Sequence, residues 1–345
     1  MMLDPILDIF RGKAVTIPPL DGAFRPNTLL DDVAAFAELP EPDNLLVADG
    51  RLLASSGNAL YALAAGGAPV LVETFPAAVT ALARSPAGEL TVGLESGRLL
   101  IAGKEAALPA EIRCITALAY AEDGTLWLAN GSAEHAPSEW AADLMKKGAS
   151  GSLWKRDPAG SEFRKLAGDI AFPYGLHPTG KDVLVGESWR HQLVCFDGAT
   201  GSRSTVLAHL PGYPARLSPA ADGGAWLALF APRNRLIDSC CRKRTIGTTC
   251  WRKCRRNTGS RRRSPPTAAS SSRCNAAASA LWASTSRGRR AALTGWWSGS
   301  IGRCGRNSAC TAAPTARATA SAAWRRQTVA CSLPRKAAIA CWPSI

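Results

Sequence analysis

Two short stretches hold most of the polar residues that could do chemistry. SAEHAPSEWAADLMKKGAS, residues 132–150, carries His135, Glu139 and Asp143, and GESWRH, residues 186–191, carries Glu187, Arg190 and His191. A carboxylate beside a histidine can work as a general base, which makes His135, Glu187 and His191 the catalytic candidates. The same residue types also suit a surface helix face and a strand-end ion pair, and the sequence leaves both readings open. Residues 1–238 hold no nucleophile elbow, phosphate loop or zinc-spaced Cys/His set.

The elements that must position these groups follow a repeat. Five runs begin with a small or polar turn ending in Gly and continue as apolar residues: ADGRLLAS, PAGELTVG, EDGTLWLA, PTGKDVLVG and ADGGAWLAL. Their glycines are Gly50, Gly88, Gly124, Gly180 and Gly223. Such a turn opens a hairpin because Gly accepts positive φ. A second strand follows most of them, as in NALYAL, GRLLIAG, GSLWKRD and HQLVCFD. A period of roughly 40 residues with several strands per unit points to a β-propeller, with a β-sandwich as the alternative. One interval is longer because it contains residues 132–150. There the spacing predicts a helix that follows Ser138 and stops at Gly148, placed where it would cap one mouth of the propeller.

Only Cys114 and Cys195 occur before residue 239, which fits a reduced, cytoplasmic protein without a disulfide framework. The first residues, MMLDPILDIFRGK, have Asp4 and Asp8 interrupting the apolar run, so they read as a docking segment or short amphipathic helix rather than a signal peptide or membrane span. The organisation expected is an N-terminal segment at 1–39, a partial propeller at 40–238 and a separate tail at 239–345.

FPYGLHPTGKDVLVGESWRHQLVCFD (172–197) and HLPGYPARLSPAADGGAWLALFAPRN (209–234) resemble consecutive blades of the strictosidine synthase-like proteins, relatives of the gluconolactonase and calcium-dependent phosphotriesterase propellers. GTLWLANGS with its insertion, then GSLWKRD, resembles the blade before them. The resemblance covers about residues 40–238 and implies an all-β, six-bladed propeller, of which this chain supplies about four and a half blades. It further implies a channel metal, calcium, held by hard oxygen ligands. Carried over by position, Glu41 and Asn130 match two of those ligands. Tyr174 and Ala215 stand where two others are expected, and Arg216 adds a positive charge, so the resemblance implies weak calcium binding. Capping of turns is the alternative role for Glu41 and Asn130.

The tail differs from everything before it. It holds 21 of the 41 Lys and Arg, nine of the 11 Cys and six of the 11 Trp, but no Asp, Glu, His, Phe or Tyr. All 27 acidic residues precede it, against 20 basic ones, so the excess of positive charge belongs to the tail alone. A nucleic-acid arm would use the Arg and Trp, yet such arms rarely exclude every acid. A zinc module would use Cys250 and Cys254, but the next cysteine is Cys274 and no His is present. A shifted reading frame accounts for more. Moving each codon one base earlier lets VACSLPRKAAIACWPSI read GRLLVASKGGDRLLALD, which is another turn-and-strand unit of the family type. On this reading the tail is a disordered cation with no specific nucleic-acid partner.

By resemblance the activities available are hydrolysis of a lactone or ester, amine–aldehyde condensation, or non-catalytic binding of a small molecule or partner. The condensing enzymes place an essential Glu late in the fold, where this chain has none, so hydrolase ancestry is preferred. An unclosed ring leaves the chain as it stands inactive. Sequencing the gene across the codons for residues 230–245 is expected to show a one- or two-base insertion or deletion close to the Asp238 codon. A verified gene that encodes the same tail in a cell making the protein stably would overturn this.

Overall fold

The computed structural model describes residues 33–160, 162–220, 223–234 and 237–238, together with 17, 18 and 24. The expectations for residues 1–16 and for the tail lie outside these residues. What is described is all-β: four four-stranded antiparallel sheets and a two-stranded one, each a meander of consecutive strands. Blade 1 contains β1 (Pro42–Ala48), β2 (Arg51–Ser56), β3 (Ala59–Leu63) and β4 (Val70–Thr74). Blade 2 contains β5 (Val79–Arg84), β6 (Leu90–Leu94), β7 (Leu99–Ile101) and β8 (Lys104–Glu105). Blade 3 contains β9 (Ile115–Tyr120), β10 (Leu126–Asn130), β11 (Gly151–Arg156) and β12 (Arg164–Ile170). Blade 4 contains β13 (Pro173–Thr179), β14 (Asp182–Glu187), β15 (Gln192–Phe196) and β16 (Arg203–Leu207). The fifth blade is represented by β17 (Gly212–Pro219) and β18 (Ala225–Pro232). This is an incomplete propeller, and the expected turn glycines Gly50, Gly88, Gly124, Gly180 and Gly223 all adopt positive φ.

The blades are held by apolar sandwiches between neighbours, and the strand pleat explains how. Every residue of β10 is buried. Leu126 and Leu128 face blade 2, packing with Ala81, Ala83 and Leu99, while Trp127 and Ala129 face blade 4, packing with Val183, Val185 and Phe196. A period of two with both faces covered gives a strand that reads as continuously apolar. Blades 1 and 2 meet through Leu53, Leu60, Val79, Val92 and Leu94, and blades 4 and 5 through Leu184, Leu193, Leu210 and Ala225. The other face of blade 1 is covered by residues before it: Phe36, Ala37 and Leu39 pack against Ala54 and Leu63. Its outer strand β4 is exposed throughout.

The inserted helix, α1 (Trp140–Lys146), is shorter than the sequence suggested. Pro137 opens a 3-10 turn, Pro137–Glu139, that takes over the first residues. Lys147, left-handed at φ 55°, ends the helix one residue before Gly148.

The innermost strands β1, β5, β9, β13 and β17 share one feature. Each is irregular near its start: β1, β5, β9 and β13 slip register by one residue between Pro42 and Leu45, Val79 and Ala81, Ile115 and Ala117, and Pro173 and Gly175, while β17 shifts twice, between Gly212 and Pro214 and between Pro214 and Leu217. Such bulges twist a strand and re-aim its side chains. In β13 the adjacent glycine is also required: a Cβ on Gly175 would lie 2.0 Å from the carbonyl oxygen of Ala215 and 3.1 Å from the Leu217 nitrogen. Both obstacles are backbone and cannot rotate away. Gly175→Ala is therefore expected to cost about 3 kcal/mol or more, read as a fall in thermal midpoint. A midpoint unchanged within a degree would show that β13 and β17 do not approach as described.

Candidate functional site at the channel mouth

The bulges converge on one side chain. Arg216, from β17, reaches across the channel axis. One guanidinium nitrogen donates to the carbonyl of Thr116 in β9. The other donates to the carbonyl of Thr80 in β5 at 2.9 Å and lies 3.4 Å from the Asp43 carboxylate of β1. The guanidinium also stacks on the Tyr174 ring of β13, 4.6 Å from its centroid, a cation–π contact. Each partner lies in or beside a register slip, so all five blades meet at this residue. Tyr174 has its phenol pushed up to about 12 by burial and keeps its proton. Asp43 is itself oriented by the buried Asn44, whose amide nitrogen donates to it at 3.2 Å and to Ser55 Oγ at 3.0 Å.

Beside this junction opens a cavity of about 350 Å³. Its walls are aromatic: Trp140 from α1, Phe172, Tyr174 and Trp189 from blade 4, and Phe230 from β18. Phe172 and Trp189 stack at 4.5 Å, and Trp140 meets Phe230 edge-on at 5.2 Å. Glu41, Asp43 and Glu95 supply three carboxylates to the lining. Glu95 accepts from the Ser138 amide at 2.9 Å, which ties blade 2 to the insertion.

A second polar centre holds the insertion in place. The buried Asp143 accepts from Ser132 Oγ and from Trp189 Nε1, both at 2.8 Å, and lies 3.2 Å from His135 Nδ1. The Nε2 of His135 lies 3.0 Å from Lys146 Nζ. Ser, His and Asp are thus all present, but in the wrong order for nucleophilic catalysis. The carboxylate stands between serine and the imidazole, and what His135 offers Ser132 Oγ is its backbone N–H, at 3.2 Å, while its ring nitrogens face Asp143 and Lys146. The centre is a fastening: it orients Trp189 and pins α1 over the channel mouth.

The structure separates the residues that the sequence singled out. His135 belongs to the Asp143 centre, outside the cavity lining. Glu187 is fully buried and committed to structure. It accepts from the Ala171 amide at 3.1 Å, from Arg190 at 2.6 Å and from the Gln192 amide. That is the strand-end ion pair. His191 packs edge-on against Tyr213, with ring centroids 4.6 Å apart. Its Nδ1 lies 3.2 Å from the Gly212 carbonyl, which only a protonated Nδ1 can satisfy when the ring is neutral. Asn130, the other residue matched to a metal ligand, turns its amide oxygen to the backbone. Its Oδ1 accepts two backbone amides, Arg113 at 3.1 Å and Cys114 at 2.9 Å, which uses both lone pairs. Glu41 does line the cavity, from an exposed position with φ 45°. Asp43, two residues later, holds the position against Arg216 that the sequence assigned to Glu41.

Among the described residues, the oxygens around Arg216 do not fit a divalent cation. The oxygens nearest the channel axis are taken by a guanidinium, and its fixed positive charge repels a metal. Among the described residues, no three His, Cys, Asp or Glu side chains gather as a metal site. The Cys114 thiol, fully buried, is pushed up to about 12 by burial and is not a nucleophile at neutral pH. Among the described residues no helix is long and apolar enough to cross a membrane.

No family model and no curated protein matches the chain. Solved structures similar to it include a gluconolactonase of Xanthomonas campestris, 16% identical over 56% of this chain and 71% of that one, with a TM-score of 0.44. A virginiamycin B lyase of Staphylococcus aureus is 13% identical over 54% and 62%, with a TM-score of 0.39. A chain of the nidogen–laminin complex is 12% identical over 56% and 72%, with a TM-score of 0.40. At these identities the likeness says nothing about activity.

Burial, and secondarily the charge of Arg233, lowers the His191 pKa to about 4. The unfolded ring, near 6.5, takes up its proton first. Stability is therefore intact above pH 6.5 and is lost as pH falls from 6.5 to 4, by on the order of 3 kcal/mol at most. His191→Gln should flatten the fall in unfolding free energy across that window. Parallel pH profiles for the two proteins would contradict the assignment.

Proposed function

We propose that the chain is a strictosidine synthase-like propeller of hydrolase ancestry that binds a small, flat organic molecule at its channel mouth, without metal-assisted turnover. The observation that carries this reading is the aromatic-walled cavity beside Arg216. Five rings from three structural units surround a space within the usual range for small-molecule sites. The Asp143 centre fixes two of those rings by hydrogen bond or by helix placement, so the cavity is formed before a ligand arrives.

Lactone or ester hydrolysis by a channel metal needs a Lewis acid at the axis, and there the fixed charge is Arg216. The histidines offer no substitute, because neither His135 nor His191 lines the cavity. A second reading, amine–aldehyde condensation, gains support from one feature. The lining carboxylates Glu41, Asp43 and Glu95 would attract an ammonium group, and Trp140, Phe172 and Trp189 would cover its apolar body. A cytoplasmic location belongs to the same proposal and rests on cysteine usage alone.

Lactones, aryl esters and arylalkylamines should be compared by titration calorimetry, with product release followed in parallel. The expected result is saturable, one-to-one binding by at least one class, weakened tenfold or more by Trp140→Ala, and no calcium-stimulated product. Imine formation from a bound amine and an added aldehyde would favour the second reading. Calcium-dependent hydrolysis, or no saturable binding by any class, would sink the proposal.

A further inference from the structure

We propose that Arg216 is a built-in cation that takes the place of a channel metal and locks the propeller's inner ring, so that the fold needs no ion and removing this one side chain creates an ion site. On its donor edge the guanidinium touches oxygens. Its partners are the Thr80 carbonyl, the Thr116 carbonyl and both oxygens of Asp43. All are hard oxygens, the donor type that Ca²⁺ prefers. They come from three different blades, and the side chain reaching them comes from a fourth.

The apolar packing between blades brings two backbone carbonyls and a carboxylate together at the inner strands. Each carries negative charge or partial charge, and their mutual repulsion must be offset. The planar fork of Arg suits the task better than an ammonium would. It presents several N–H donors in fixed directions, and its face still stacks on Tyr174. The charge count at the junction agrees: one guanidinium answers the one carboxylate it touches, Asp43.

Sequence position supports the same role. The strand starts PDNL, VTAL, ITAL, PYGL and PARL align at their leucines: Leu45, Leu82, Leu118, Leu176 and Leu217. The residue before the leucine is Asn44, Ala81, Ala117, Gly175 or Arg216. Only in the fifth blade is it long and charged, and there alone can it cross the axis.

The test uses the full chain and does not depend on a reversible melt. A pulse of protease measures the lifetime of the fragment spanning the described blades, with calcium or chelator present. For the wild type, the lifetime should not change between 5 mM calcium and 5 mM chelator. Arg216→Ala should shorten it at least tenfold in chelator and recover part of it in calcium. The same variant should gain Tyr- or Trp-sensitised terbium luminescence that Asp43→Asn then abolishes. Arg216→Lys keeps the charge without the fork and should fall between wild type and Arg216→Ala. Three outcomes would overturn the proposal: calcium protection of the wild type, no protected fragment in the wild type, or Arg216→Ala with wild-type lifetime and no terbium signal.

Discussion

One cation at the axis organises the rest of the molecule. A propeller's inner strands all begin near the channel, and each here slips register at that point. The slips turn carbonyls and polar side chains toward the centre, where they would repel one another and remain unsatisfied. Arg216 resolves this with donors on two nitrogens and a face for Tyr174. Removing it would leave the partly exposed Asp43 carboxylate and two carbonyls without the cation that now holds them together. The close approach of Gly175 to the Ala215 backbone belongs to the same arrangement, since it sets how far β17 stands from β13 and so where the guanidinium falls.

The ligand cavity is a consequence of that junction. The cavity shares Asp43, Thr80, Thr116 and Tyr174 with the junction, so the guanidinium's partners and the aromatic rings bound one space. Those rings are held by a second buried charge, Asp143, whose acceptor oxygens are divided between Ser132 and Trp189. Gly148 turns the chain immediately beside that carboxylate, where a Cβ would lie 2.2 Å from Oδ2. The insertion is thus fastened at both ends, and the shape of the cavity depends on the same few polar contacts.

Much of the fold could be read in the sequence. Turn glycines followed by apolar runs located the hairpins, because positive φ and strand pleat are local properties. The insertion was recognised from its helical spacing, and only its ends moved, where Pro137 and Lys147 imposed their own backbone geometry. The site was read less well. His135, Glu187 and His191 were chosen by residue type, yet type does not reveal whether a partner already occupies the group. Glu187 is satisfied by Arg190, Gln192 and an amide, and Asn130 by two amides. The sequence points to Glu41 rather than Asp43 because a register slip cannot be seen in a single strand. Aligning the five strand starts at their leucines would have exposed it.

The central claim is that a guanidinium, not a metal, occupies the channel axis. A crystal structure of the protein grown in millimolar calcium, with anomalous data, tests this most directly. The account predicts Arg216 between the Thr80 and Thr116 carbonyls and Asp43, with no anomalous peak at the axis. An axial calcium peak with Arg216 swung away and Glu41 or Asp43 in its coordination sphere would contradict it.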